Sequence, residues 1–125
     1  FNDAVFGNKK WSILTNIDVF VLTSRYEGMP ITVLEAASLG KMCMLSKETN
    51  MLEEFINNNM CIEFLPDNLE ATCDSIIKYF NLSDDEKLLV SSQGVEYVRN
   101  NYDWSVIALK LKQLFESDDE LLLYQ

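Results

Sequence analysis

The chain has 125 residues, enough for one small domain, and its 48% hydrophobic and 24% charged residues exclude wholesale disorder. Asp and Glu number 20 against 10 Lys and Arg, and the net charge of −10 is a poor basis for holding nucleic acid or anionic lipid. There is no His, which excludes Ser-His-Asp and Cys-His catalysis and His-ligated metals together.

In chain order, Asp3–Phe6 is a short apolar piece ending at Gly7, and Lys10–Asn16 reads as a short helix. Asp18–Thr23 is apolar on both faces, as an interior strand of a parallel sheet should be. Ser24–Met29 is a loop, and Pro30 is expected in the first turn of the next helix, where its missing N–H costs nothing. Ile31–Leu39 carries Val33, Leu34, Ala36 and Ala37 at helical spacing, with Gly40 as its stop. Lys41–Leu45 predicts a second buried strand. Asn50 with Glu53 predicts a capped short helix to Ile56, residues 57–59 a turn, and Met60–Leu65 a further strand. Asp67 with Glu70 opens a helix to about Phe80, and the capping box Ser83–Glu86 opens one to about Asn100. Asp103 is expected to cap a last amphipathic helix that packs through Ile107, Leu111 and Leu114. The tail Ser117–Gln125 is acidic, then Leu-rich, and carries no signal for a particular element.

This order predicts an α/β fold: a Rossmann-like parallel sheet of about four strands flanked by helices, in a single domain 1–125 whose part 67–117 is all helical. One sheet edge is expected to lack its neighbour, and that edge and the Leu-rich tail could both drive self-association. Cys43, Cys61 and Cys73 are odd in number and lack C-x-x-C spacing, so each is expected as a small buried hydrophobe in a reducing compartment. Trp11, Trp104 and the Phe residues fall at core-like spacing. No apolar run approaches the ~18 residues that span a membrane. Phe1-Asn2-Asp3 resembles neither a signal peptide nor a natural beginning, so a longer protein is expected.

Glu27–Glu35 carries the most chemical information. It follows the carboxyl end of a buried strand and enters a helix, where open parallel sheets bind ligands. Gly28 permits close approach to the backbone, and the N–H groups of Ile31 and Thr32 are left to face a phosphate. Glu27 and Glu35 bracket this helix start. A carboxylate repels phosphate, so both acids are better read as acceptors for sugar hydroxyls on a nucleotide sugar lying across the helix terminus.

The stretch Asp18–Pro30 followed by Glu35–Lys41 resembles the retaining glycosyltransferases of family 4, which have the GT-B fold. Two Glu separated by seven residues, here Glu27 and Glu35, sit in the same strand-loop-helix setting. Val5-Phe6-Gly7, Leu65-Pro66-Asp67 and Tyr102-Asp103-Trp104 resemble further elements of the family, while Thr23 and Met42 stand where it usually has Pro. The resemblance implies the C-terminal, donor-binding part of a hexosyltransferase-type enzyme without its first strand-helix units. Glu27, the catalytic residue, would contact the donor sugar hydroxyls beside the reaction centre. Gly28, Met29, Ile31 and Thr32 would contact sugar and phosphate. Glu35 would accept from the ribose, and Val5 and Lys10 would line the nucleobase.

The implied substrate is a UDP-, GDP- or ADP-linked sugar, with no metal and no other cofactor. The acceptor, a sugar or lipid-linked sugar, would be held by an N-terminal domain. The implied setting is bacterial polysaccharide or glycolipid assembly in the cytoplasm, with the full-length protein at most peripheral to the inner membrane face. The family's phosphate-neutralising Arg and Lys have no counterpart here, so these residues alone are expected to be inactive. Two other classes fit the same fold: a non-catalytic nucleotide-binding module, and a flavodoxin-like interaction domain. The latter wants an acidic cluster after the first strand and a late-strand Lys, and neither is present.

Overall fold

The structure, a computed structural model, describes residues 4–122, with side chains through residue 116. The elements are α1 (Gly7–Asn16), β1 (Val19–Leu22), α2 (Ile31–Ser38), β2 (Met42–Ser46), α3 (Leu52–Asn57), β3 (Cys61–Phe64), α4 (Leu69–Phe80), α5 (Asp84–Tyr102) and α6 (Trp104–Leu122). The strands form one parallel sheet in the order β1-β2-β3, in register Val19 to Met42 and Cys43 to Cys61. Parallel neighbours need a crossover, and α2 and α3 supply the two.

The strand count corrects the expectation of about four. Residues 4–6 form no strand among the described residues, and Phe6 is 79% exposed. The interior strand is β2, whose five residues are all buried. β1, expected in the interior, lies at an edge and is half-buried, with Val21 44% exposed. An apolar run signals burial on both faces, but not which neighbours a strand has.

One core cluster packs α2 and α3 onto the sheet through Val33, Ala36, Cys43, Leu45 and Phe55, with Met51 and Met60 below them. A second gathers Met42, Met44, Ile62 and Phe64 with Tyr79 of α4 and Val90 of α5. The Tyr79 hydroxyl donates to the Asp18 carbonyl, tying α4 to the entry of β1. α5 lies along α2. Gly94 is buried against Ala37, where a Cβ would come within 3.1 Å of the Ala37 carbonyl oxygen.

The helix starts show which local signals prevailed. The Ser83–Glu86 capping box forms as expected, with Ser83 Oγ accepting from Glu86 N–H and Glu86 accepting from Ser83 N–H. α4 is capped by Asn68, which accepts from Ala71 N–H, rather than by Asp67. α3 begins after Met51 without a side-chain cap, so Asn50 is not its cap. Among the described side chains of α6, the half-buried ones are Val106 and Ile107 in its first turn. Leu111 and Leu114, expected as packing contacts, are 49% and 62% exposed. Cys43 is buried, Cys61 half-buried and Cys73 exposed, so the expected burial holds fully for Cys43, in part for Cys61 and not for Cys73. No helix among the described residues is long and apolar enough to cross a membrane.

Candidate functional site

The loop after β1 is held by the loop after β2. Glu27 forms an isolated parallel bridge with Thr49, its N–H donating to the Glu48 carbonyl (3.3 Å) and its carbonyl accepting from Asn50 N–H (3.0 Å). Behind it, buried Ser46 donates its hydroxyl to the Ser24 carbonyl. Asn50, read from sequence as a helix cap, thus spends its N–H on placing Glu27. The Glu27 residue is half-buried at the carboxyl end of the sheet.

α2 starts directly after this loop. Its N-cap is Pro30 (φ −71°), buried and one position earlier than expected. No side chain caps the helix, and the first backbone bond of the turn runs from Val33 N–H to the Pro30 carbonyl. The N–H groups of Ile31 and Thr32 therefore face outward, and both residues are exposed. Gly28 is exposed too. A Cβ there would meet nothing within 4 Å and the backbone is not left-handed, so the fold itself does not require glycine at that position.

Glu35 lies one turn inside α2, with its side chain 16% exposed. Oε1 accepts from Lys10 Nζ of α1 at 2.5 Å. Oε2 is buried and has no hydrogen-bond partner. An orphaned carboxylate oxygen is costly, and it marks an acceptor that a ligand donor would satisfy. The same Lys10 ammonium stands 4.9 Å from the centre of the Trp11 ring.

Beside Glu35 opens a cavity of about 650 Å³ between α1, the start of α2, the end of α5 and the start of α6. Met29, Ile31 and Glu35 line it together with Trp11, Arg99 and Trp104. Glu27, Gly28 and Thr32 do not line it, and neither does Val5, half-buried ahead of α1. Met29, Ile31 and Glu35 thus share the cavity, and Glu27 lies outside its lining.

Trp11 and Trp104 were expected in the core. Instead they are 41% and 83% exposed and form the cavity rim. Arg99 carried no motif, and its one local mark is being the basic residue of the last turn of α5. Nearby, the Asp103 carboxyl is held below the usual carboxylate range by hydrogen bonds from the Ser105 hydroxyl and N–H, with Arg99 adding to the effect.

The chain belongs to the family described as glycosyl transferases group 1, whose model matches residues 4–94. It is 30% identical over 105 residues to the N,N'-diacetylbacillosaminyl-diphospho-undecaprenol alpha-1,3-N-acetylgalactosaminyltransferase of Campylobacter jejuni, covering 83% of this chain and 27% of that protein. It is 45% identical over 51 residues to the UDP-Gal:alpha-D-GlcNAc-diphosphoundecaprenol alpha-1,3-galactosyltransferase of Escherichia coli, covering 41% of this chain and 11% of that protein. The fold is shared with a sucrose-phosphate synthase from Thermosynechococcus elongatus at a TM-score of 0.72 and 20% identity, covering 90% of this chain and 27% of that one. The fold is that of the C-terminal part of a GT-B, family 4 glycosyltransferase, and the chain spans about a quarter or less of the length of these relatives.

Proposed function

We propose that this chain is the donor-binding part of a retaining glycosyltransferase that moves a sugar from a nucleotide diphosphate to an acceptor. The observation that carries the proposal is the uncapped start of α2 at the carboxyl end of the sheet, with the orphaned Glu35 Oε2 beside it. The outward N–H groups of Ile31 and Thr32, with the helix dipole, suit a diphosphate. Gly28 and Met29 leave the backbone open beside them. Glu35 accepts from the ribose hydroxyls through Oε2, while Lys10 holds Oε1 and fixes the carboxylate. The nucleobase then lies on the Lys10 and Val5 side. Glu27, outside the lining of the cavity, contacts the donor sugar at the reaction centre.

Transfer on this plan needs no metal and no protein base, because the leaving phosphate assists the acceptor and the positioned donors stabilise the developing charge. The undecaprenol-linked names of two relatives favour a lipid-linked sugar acceptor and a setting in bacterial polysaccharide or glycolipid assembly. That acceptor would be held by a further domain at the inner face of the membrane. With a net charge of −10 and about a quarter or less of its relatives' length, the chain by itself binds donor weakly and does not turn it over.

The test is a backbone amide NMR titration with UDP, GDP and ADP, each with and without Mg²⁺, at low salt. Metal-independent shifts confined to Gly28–Glu35 and Val5, lost in Glu35→Ala, support the proposal and identify the base. Shifts elsewhere, shifts only with Mg²⁺, or none at millimolar nucleotide overturn the site assignment.

A further inference from the structure

A second cavity, of about 320 Å³, lies between the α3–β3 turn and α5 and shares no lining residue with the first. The turn enters β3 at its amino end. In a parallel sheet that is the end opposite the α2 start. Three consecutive asparagines, 57–59, form one wall, with Asn59 at a φ of 54°, where Asn is better tolerated than most residues. Gln93, Glu96, Tyr97, Asn100 and Asn101 of α5 form the other.

Two polar side chains of this cavity are held in place. Asn58 donates its amide nitrogen to the Glu54 carbonyl at 2.8 Å, and Asn101 donates to the Tyr97 carbonyl at 2.9 Å, which turns both amide oxygens away from those bonds. Gln93 Oε1 is buried without a partner. The Tyr97 ring is set edge-on to Phe55, with centroids 6.1 Å apart.

No Lys or Arg lines the cavity, so nothing there compensates an anion. Its one carboxylate is Glu96, too little charge for a hard divalent cation, which takes six to eight oxygens. Side-chain amides present donors and acceptors side by side, matching vicinal hydroxyls, which do the same. The volume lies at the small end of ligand sites.

We infer that this cavity binds a neutral, polyhydroxylated ring, a carbohydrate unit, at a site separate from the donor site and independent of that reading. Gln93 Oε1 accepts one hydroxyl, and the 57–59 turn and Asn100 engage its neighbours.

The test is a titration of the isotope-labelled 125-residue chain with glucose, galactose and N-acetylglucosamine, without nucleotide, to about 100 mM. Saturable shifts confined to residues 57–59 and 93–101 are expected for at least one sugar. Gln93→Leu should weaken that binding by about tenfold, and the exposed Asn100→Ala, which leaves the interior intact, by about threefold. Glu35→Ala should leave it unchanged, so failure here and failure of the donor site are told apart. No saturable shift with any sugar, the same shifts with CaCl₂ alone, or shifts at Gly28–Glu35 instead would each overturn the inference.

Discussion

Replacing Gly40 by Ala should loosen α2, the helix that carries the proposed donor site. Gly40 follows α2 with a φ of +69°, and its N–H donates to the Ala37 carbonyl at 2.9 Å. A Cβ there would lie 2.1 Å from Ser91 Oγ, 3.2 Å from Ser91 Cβ and 3.4 Å from the Ser91 carbonyl oxygen of α5. Two costs follow. The left-handed conformation costs an L-residue about 1–2 kcal/mol whatever its surroundings. The hydroxyl must also turn aside, and an off-rotamer side chain against a tight contact costs about 0.5–1.5 kcal/mol more. Gly40→Ala should therefore destabilise by about 2–3 kcal/mol, read by urea unfolding with far-UV circular dichroism at unchanged m. In a Ser91→Gly background only the conformational cost remains, so the same substitution should lose about 1–2 kcal/mol. A Gly40→Ala cost below about 0.5 kcal/mol, or equal costs in the two backgrounds, would contradict this account of the α2 stop.

Lys10→Met strands the Glu35 carboxylate, and because water still reaches the 28%-exposed ammonium the cost should be about 1–2 kcal/mol by thermal unfolding. Adding Glu35→Leu should recover most of it, and a double variant no more stable than the single one contradicts the account. Hydrogen bonds from Ser83 N–H and hydroxyl hold Glu86 below its usual value of 4.5. The capping box thus stabilises fully above that pH and fades as pH falls through the lower folded value, so Glu86→Gln, which removes the titrating carboxyl, should flatten the acid limb of the stability profile. Burial pushes the Cys43 thiol up strongly and the Cys61 thiol up to about 12, whereas Cys73 is exposed. Alkylation at about pH 8 should modify Cys73 in the native chain and all three after denaturation, as read by intact mass. Rapid native labelling of Cys43 or Cys61 would contradict the packing.

The α/β class, the α2 segment ending at Gly40, the capping box of α5 and the Glu27–Glu35 stretch with its family resemblance are all legible in the amino-acid order. All of these depend on residues a few positions apart, whose caps, spacing and turn chemistry act along the chain. Other features came only from contacts between distant segments. β1 is an edge strand because no described strand pairs with its far side. Glu27 is placed by Thr49 and Asn50, and Glu35 by Lys10, 25 residues away. Trp104 resembles a core residue in sequence, yet it is 83% exposed at the rim of the cavity beside Glu35. Hydrophobic character states what a side chain would gain by burial, and the tertiary arrangement decides whether a partner is there to bury it.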